Sequence, residues 1–315
     1  MQTGYTREAY GEEIVRLGGE NPNIVVLEAD ISTSTKTCYF AKKFPDRFFN
    51  IGVAEQNEAM IAAGLASTGF IPFLSTYAVF ATMRACEQVR TFICYPNLNV
   101  KIAVSHGGIT PCTDGVTHQA TEDLAIMRVM PNMTVIAPTD YNMTKAVIRA
   151  AAEYYGPVYI RLTRDLLPII YDENVSFQIG KAFKLYDGNE LTIISTGDMT
   201  YTAIKAVDLL KKQGISAALI DMPTIKPIDA ETIIKEAKST GAIVTVEDHQ
   251  IIGGLGGAVA EVLSENYPTP LKRIGLKDTF AESGEFELLL DKYGLSSAHI
   301  AEAAKQVIQA KKTNK

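Results

Sequence analysis

The 315-residue chain has only four cysteines, Cys38, Cys86, Cys94 and Cys112, and no two of them are spaced as CxxC. This excludes a disulfide framework and the usual zinc patterns and points to a reducing compartment. No uninterrupted apolar run is long enough to span a bilayer, so no membrane-spanning helix is expected. The opening residues, Met-Gln-Thr-Gly-Tyr-Thr-Arg-Glu, lack an apolar signal core, and the expected location is the cytoplasm. Excess positive charge is missing as well. Thirty Lys and Arg against 36 Asp and Glu give a formal net charge of -6. Nothing in that balance favours nucleic acid or an anionic membrane as partner, although an acidic protein can still build a cationic pocket for a phosphorylated substrate. Internal repeats and low-complexity segments are absent. Histidine is scarce, with four in the chain, and two of them, His106 and His118, fall in one short segment.

What is present is globular. Hydrophobic residues make up 47% and charged residues 21%, and the length suits two domains, each with its own core. Strand-like runs at 24–28, 100–105, 134–137 and 158–162 alternate with helical patterns at 6–17, 54–67, 79–95 and 141–154. Buried strands alternating with crossover helices predict a mostly parallel α/β sheet. The pattern lapses near 167–188, where Pro168, Asp172, Asn174, Asp187, Gly188 and Asn189 supply loop chemistry. A second alternation follows, with strands at 191–195, 216–221, 242–246 and 271–274 and helices at 200–213, 229–239 and 257–266. Helices at 285–293 and 296–311 close the chain, the last one capped by Ser296. The predicted division is a first domain over 1–175, a linker over 176–190 and a second domain over 191–315. Lys311, Lys312 and Lys315 read as a solvated tail.

Three segments carry chemistry. The run from Ile51 to Met60, Ile-Gly-Val-Ala-Glu-Gln-Asn-Glu-Ala-Met, reads as a strand end followed at once by a small-residue helix, with Glu55 in the first turn. A carboxylate there is favoured by the helix dipole, and capping alone would explain it. In the run from Ser75 to Met83, Tyr77, Phe80 and Met83 stand at i, i+3 and i+6, which is one face of a helix and by itself ordinary core. The run from Ser105 to His118, Ser-His-Gly-Gly-Ile-Thr-Pro-Cys-Thr-Asp-Gly-Val-Thr-His, sets two histidines around Thr-Asp-Gly after a strand. Its glycines let backbone approach a ligand, and histidine can donate to a hydroxyl or phosphate and shuttle protons near neutral pH. Gly253-Gly-Leu-Gly-Gly257 looks like a dinucleotide loop, but it follows the third strand of its domain, so close helix–strand packing is the expected role. His249 and Arg161 are read as structural.

The first and last of these segments, in this order, resemble the pyrimidine-binding half of the transketolases, which use thiamine diphosphate to move two-carbon units between sugars. The resemblance runs from about Thr6 to the C-terminus and implies a pyrimidine-binding α/β domain followed by a smaller C-terminal transketolase-type domain with room for an antiparallel edge strand. It assigns Glu55 to N1′ of the aminopyrimidine, where the carboxylate favours the imino tautomer that deprotonates C2. It places Tyr77, Phe80 and Met83 around the pyrimidine ring, a thioether standing where the family is usually aromatic. His118 lies beside N4′ and the donor carbonyl. Asp114 reads a sugar hydroxyl, and His106 faces the sugar and its phosphate. Arg7, Ser34, His106 and Arg164 match the phosphate-contacting set, in keeping with guanidinium recognition of phosphate. Asp30 resembles a carboxylate near the thiazolium, with a turn or cap aspartate as the other reading. Many family members have Asp-Ser where Gly107-Gly108 stand.

The resemblance also exposes a gap. Thiamine enzymes hold diphosphate through Mg²⁺ or Ca²⁺ bound by a Gly-Asp-Gly motif and a downstream asparagine, and this chain has no such motif. The implied metal and diphosphate site lies on an N-terminal partner subunit, and the implied assembly pairs two copies of each. The implied activity is ketol transfer between ketose and aldose phosphates in carbohydrate metabolism. Deoxyxylulose-phosphate synthases share Val-Ala-Glu-Gln, but usually lack the Ser-His pair. The β subunits of 2-oxo acid dehydrogenases share the layout, but not Asp-Gly-x-Thr-His. A binding or regulatory protein that lost catalysis would not need Glu55, Asp114 and His118 together.

Overall fold

The computed structural model describes residues 1–313. The expected α/β architecture is there, in two units built around two mostly parallel sheets. In the first, seven strands lie in the order Thr224–Lys226, Thr134–Ile136, Val158–Arg161, Lys101–Val104, Ile71–Ser75, Ile24–Glu28 and Phe48–Asn50. All neighbours are parallel except the first pair. Alternation sorts the side chains. Val25 and Leu27 face a helical layer with Ala59, Ala62, Val89 and Ile93, while Ile24 and Val26 face Tyr10, Ile14, Met143 and Val147 on the other side. A strand covered on both faces is apolar along its length, as Ile24–Leu27 is, and the buried Glu28 at its end is satisfied by the Thr35 and Thr37 hydroxyls.

The second sheet runs Leu271–Leu276, Ile243–Gln250, Leu191–Ser195, Ala217–Asp221 and Phe183–Tyr186. Its last strand is antiparallel and forms the expected edge. That strand falls inside 176–190, the stretch expected to be an irregular linker. Its burial alternates half-buried and exposed, too weak a pattern to stand out among Gly, Asp and Asn neighbours.

Four further corrections have physical causes. Ile71–Ser75 is a central strand although Pro72 lies in it. Pro72 pairs with Val25 on one side, but the ladder to Lys101–Val104 begins only at Phe73, so the missing N–H interrupts nothing there. Thr224–Lys226 leaves the second unit to pair antiparallel with Thr134–Ile136, and Ile225 joins the core of the first. Lys311 is no solvated tail, because its Nζ donates to the carbonyls of Glu190 and Thr240. Lys315 lies outside the described residues. The Ser296 hydroxyl bonds the Asp291 carboxylate and the His299 ring rather than a free helix amide. No described helix is long and apolar enough to cross a membrane.

Candidate functional site

Ligands of open α/β sheets bind beyond the carboxyl ends of the strands. Four adjacent strands of the first sheet end there, at Glu28, Ser75, Val104 and Arg161, and their outgoing loops carry Ser34, Tyr77, His106 and Arg164. The sheet continues into these loops through a bridge between Tyr77 and Ser105 and a hydrogen bond from Gly107 N to Leu162 O at 3.0 Å. Backbone pairing therefore brings together residues that are far apart in sequence.

Their side chains form one connected group. The Tyr77 and His106 rings stack at 3.8 Å, and the Tyr77 and Phe80 rings lie 5.8 Å apart. His118 stands edge-on to both aromatics, at 5.9 Å from Tyr77 and 5.5 Å from Phe80. The Tyr77 hydroxyl donates to Ser34 Oγ at 3.0 Å, and Arg7 Nη1 donates to Ser34 O at 3.1 Å. Arg7 Nε is buried without a partner, an orphaned donor that an anion would satisfy. Arg164 Nε lies 3.8 Å from Asp114 Oδ2 and Nη1 donates to Pro111 O, so the expected phosphate-contacting guanidinium and sugar-reading carboxylate face each other.

His106 is buried and holds a left-handed φ of 65°, uncommon for a residue with a side chain. Its Nδ1 is 2.9 Å from Ser105 Oγ. Burial first, then the positive charges of Arg7 and Arg164, push its pKa down to about 3. At neutral pH His106 is therefore an uncharged hydrogen-bonding group, kept so first by burial and then by the two arginines. His118 is partly exposed, with Nδ1 3.0 Å from the Thr117 hydroxyl.

Gly107-Gly108, where the family often has larger residues, is explained by what surrounds it. A Cβ on Gly107 would stand 2.6 Å from Arg161 Nε, and one on Gly108 would stand 1.8 Å from Asp248 Oδ2. Arg161 is itself fully engaged, paired with Asp123 at 2.9 Å and donating to the Ala120 and Asp248 carbonyls. Asp248 accepts from Ile109 N. Gly108 also has φ +62°, so Gly108→Ala combines strain with overlap. It should destabilise the chain by about 2 kcal/mol or more, read as a lower urea midpoint at unchanged slope. An unshifted midpoint would mean that the loop repacks freely.

Glu55 opens the helix Glu55–Ser67 and is buried at 2% exposure. Both of its carboxylate oxygens lie 2.7 Å from Arg84 Nη1, and the Arg84 guanidinium sits 4.4 Å from the Phe80 ring centroid. Met83, expected as the third wall of the pyrimidine slot, is 48% exposed and takes no part in the ring cluster. Phe80–Arg84 is π-helical, with Ala85 N bonded to Phe80 O. An i→i+5 turn is wider than an α turn, so the residue returning to the face of Phe80 is Arg84 rather than Met83. Periodicity assumed an α-helix, and the only sequence signal for Arg84 was a lone arginine in an apolar run. Glu58 was also passed over. It is fully buried, with Oε1 accepting from Ser75 N at 3.2 Å and Oε2 unpartnered. Burial, more than the nearby Glu28, raises its pKa well above the usual carboxylate range. Asp30 is exposed with φ 64° and accepts from Asn50 Nδ2 at 2.9 Å, which is the turn geometry weighed against a thiazolium contact. No contact joins it to the ring cluster.

The Gly253–Gly257 loop packs as expected. The buried Glu247 carboxylate accepts from the Leu255 and Gly256 amides, so the helix N-terminus already holds an anion of the chain itself. His249 is buried, with Nδ1 2.7 Å from Gln250 O. All four cysteines are free. Among the described residues no group of three or more His, Cys, Asp or Glu could hold a metal ion.

Two wound α/β units, the first with its ring and arginine cluster at the strand carboxyl ends, define a pyrimidine-binding domain joined to a C-terminal transketolase-type domain. The family model of the transketolase pyrimidine binding domain matches residues 3–169, and that of the transketolase C-terminal domain matches 180–300. The chain belongs to the transketolase family. It is 55% identical over 298 residues to a putative transketolase C-terminal section of Methanocaldococcus jannaschii, covering 94% of this chain and 93% of that one. It is 40% identical over 311 residues to the 6-deoxy-6-sulfo-D-fructose transketolase subunit SqwH of Clostridium sp. (strain MSTE9), covering 99% and 97%. A solved structure described as a split gene transketolase, inactive beta4 tetramer, superposes with a TM-score of 0.90 at 50% identity, covering 98% of this chain and 99% of that one.

Proposed function

We propose that this chain is the C-terminal subunit of a thiamine diphosphate-dependent transketolase that moves a two-carbon ketol unit from a ketose phosphate to an aldose phosphate. The observation that carries this reading is the unbroken line of contacts Arg7–Ser34–Tyr77–His106, with Phe80 and His118 beside it. It runs from an unsatisfied guanidinium donor to an aromatic slot, and the Phe80 end of the slot borders Arg84 and Glu55. The chain itself is divided as 1–175 and 191–315, with the metal and diphosphate held by an N-terminal partner carrying Gly-Asp-Gly.

Thiamine diphosphate, when bound, supplies an acidic C2–H whose loss leaves a carbon nucleophile for the ketose carbonyl. The residues here would hold and orient. Glu55 keeps a proton at N1′ of the pyrimidine, and Tyr77 and Phe80 enclose the ring and exclude water. His118, its Nδ1 fixed by Thr117, is free at Nε2 to exchange a proton with the donor carbonyl oxygen. Neutral His106 and Asp114 bond sugar hydroxyls, and Arg7, Ser34 and Arg164 take the anionic end. The same arginines suit a sulfonate, the group in the sugar for which the Clostridium relative is named.

The test is Arg164→Ala in the assembled enzyme. A lost charge-assisted hydrogen bond, about 1.5–3 kcal/mol, raises KM for phosphorylated substrates about tenfold or more. Hydroxypyruvate with glycolaldehyde, which carries nothing to reach Arg164, should be much less affected. Equal losses on both substrate classes would make Arg164 structural. Turnover of pyruvate with lipoamide and none of sugars would replace the whole reading with a dehydrogenase subunit.

A further inference from the structure

The carboxylate meant for the pyrimidine is already taken. One nitrogen, Arg84 Nη1, sits 2.7 Å from both Glu55 oxygens, and Arg84 makes no other hydrogen bond or ion pair among the described residues. Glu55 is buried and Arg84 is 45% exposed, so the pair is a lid on a buried charge rather than a core ion pair. The guanidinium also covers the Phe80 ring, the other surface the pyrimidine would use. An incoming N1′–H needs the lone pairs and the negative charge that Arg84 now holds. We propose that Arg84 is an autoinhibitory latch, which closes Glu55 and the Phe80 face in the free subunit and must swing out when an aminopyrimidine docks. The inference rests on the reading that the pyrimidine ring comes to Glu55.

The geometry favours a latch that opens. The exposed half of Arg84 can be solvated without unfolding anything. Its carrier is the short π-helical stretch Phe80–Arg84, a wide turn whose C-terminal end is marked by the bond from Ala85 N to Phe80 O at 3.2 Å. Closure also keeps the subunit intact, because a buried carboxylate left without a partner is costly. Removing the latch therefore raises the free energy of the empty subunit more than that of the occupied one, and affinity for the ring should rise.

The probe is 4-amino-5-hydroxymethyl-2-methylpyrimidine, titrated into the full-length chain and followed by NMR. Arg84→Gln should bind it about tenfold tighter or more than the unaltered chain, as expected for release of one charge-assisted bond. Arg84→Lys, which keeps the charge, should bind close to the unaltered chain. In the unaltered chain, saturating probe should speed solvent exchange of the Arg84 guanidinium protons, a readout that needs no variant to fold. Binding by Arg84→Gln that is no tighter, including no measurable binding by either protein, would overturn the latch, as would guanidinium exchange that stays constant at saturation. The assembled enzyme separates this from the functional reading. Ketol transfer with equal probe affinities removes only the latch, whereas tighter probe binding without ketol transfer removes only the transketolase assignment.

Discussion

Glu55→Gln is expected to slow proton–deuterium exchange at C2 of thiamine diphosphate in the assembled enzyme by about 10²–10⁴-fold, the range lost with an acid–base element. The substitution keeps shape and burial and removes only the negative charge. That charge is well insulated, since Glu55 lies at the buried start of Glu55–Ser67, where the helix dipole favours an anion and little water competes. The Gln amide can still accept one bond, so the ring still docks, and the loss falls on the proton step rather than on binding. Exchange at the unaltered rate would remove Glu55 from its assigned role.

The purified chain alone is expected to show no measurable ketol transfer, and adding a subunit with a Gly-Asp-Gly motif should restore it. The reason lies in the donor set. The described residues supply a carboxylate, aromatic rings, histidines and arginines, but no group of three or more side chains able to bind a metal ion. The metal that bridges a diphosphate must then be held elsewhere, on the partner. Equilibrium dialysis of thiamine diphosphate, with and without the partner, separates failure to bind from failure to turn over. Robust transfer by the single chain, shown free of any partner, would sink the split-enzyme reading.

The sheets were legible where burial writes itself into composition. Ile24–Glu28 and Leu191–Ser195 are runs of β-branched and apolar residues because both faces are covered, and their limits match the expected ones. Ile71–Ser75 was hidden by Pro72, whose tolerance depends on where a neighbouring ladder begins, a fact of pairing and not of local sequence. The expected site residues Ser34, Tyr77, His106 and Arg164 follow four strands that pairing sets side by side, so strand–loop order placed them well. Local rules failed at Met83, because they supply a 3.6-residue period and Phe80–Arg84 is wider. They also gave no reason for Gly107-Gly108. That reason comes from Arg161 and Asp248, a strand away and a domain away.

Thr224–Lys226 ties the two units into one cooperative structure. It comes from the chain of the second unit, covers the edge of Thr134–Ile136 in the first, and its Lys226 Nζ donates to the Arg128 and Met130 carbonyls there. Neither unit can then open by itself without baring a strand edge and the Ile225 pocket, so their unfolding free energies are shared rather than separate. The loop from Ser105 to Ile109 lies on the same seam, held by Leu162 on one side and Asp248 on the other. The left-handed backbone of His106 is thus braced from both units. The first sheet therefore draws its edge strand from the chain of the second unit, and the pyrimidine domain cut out alone would lose it.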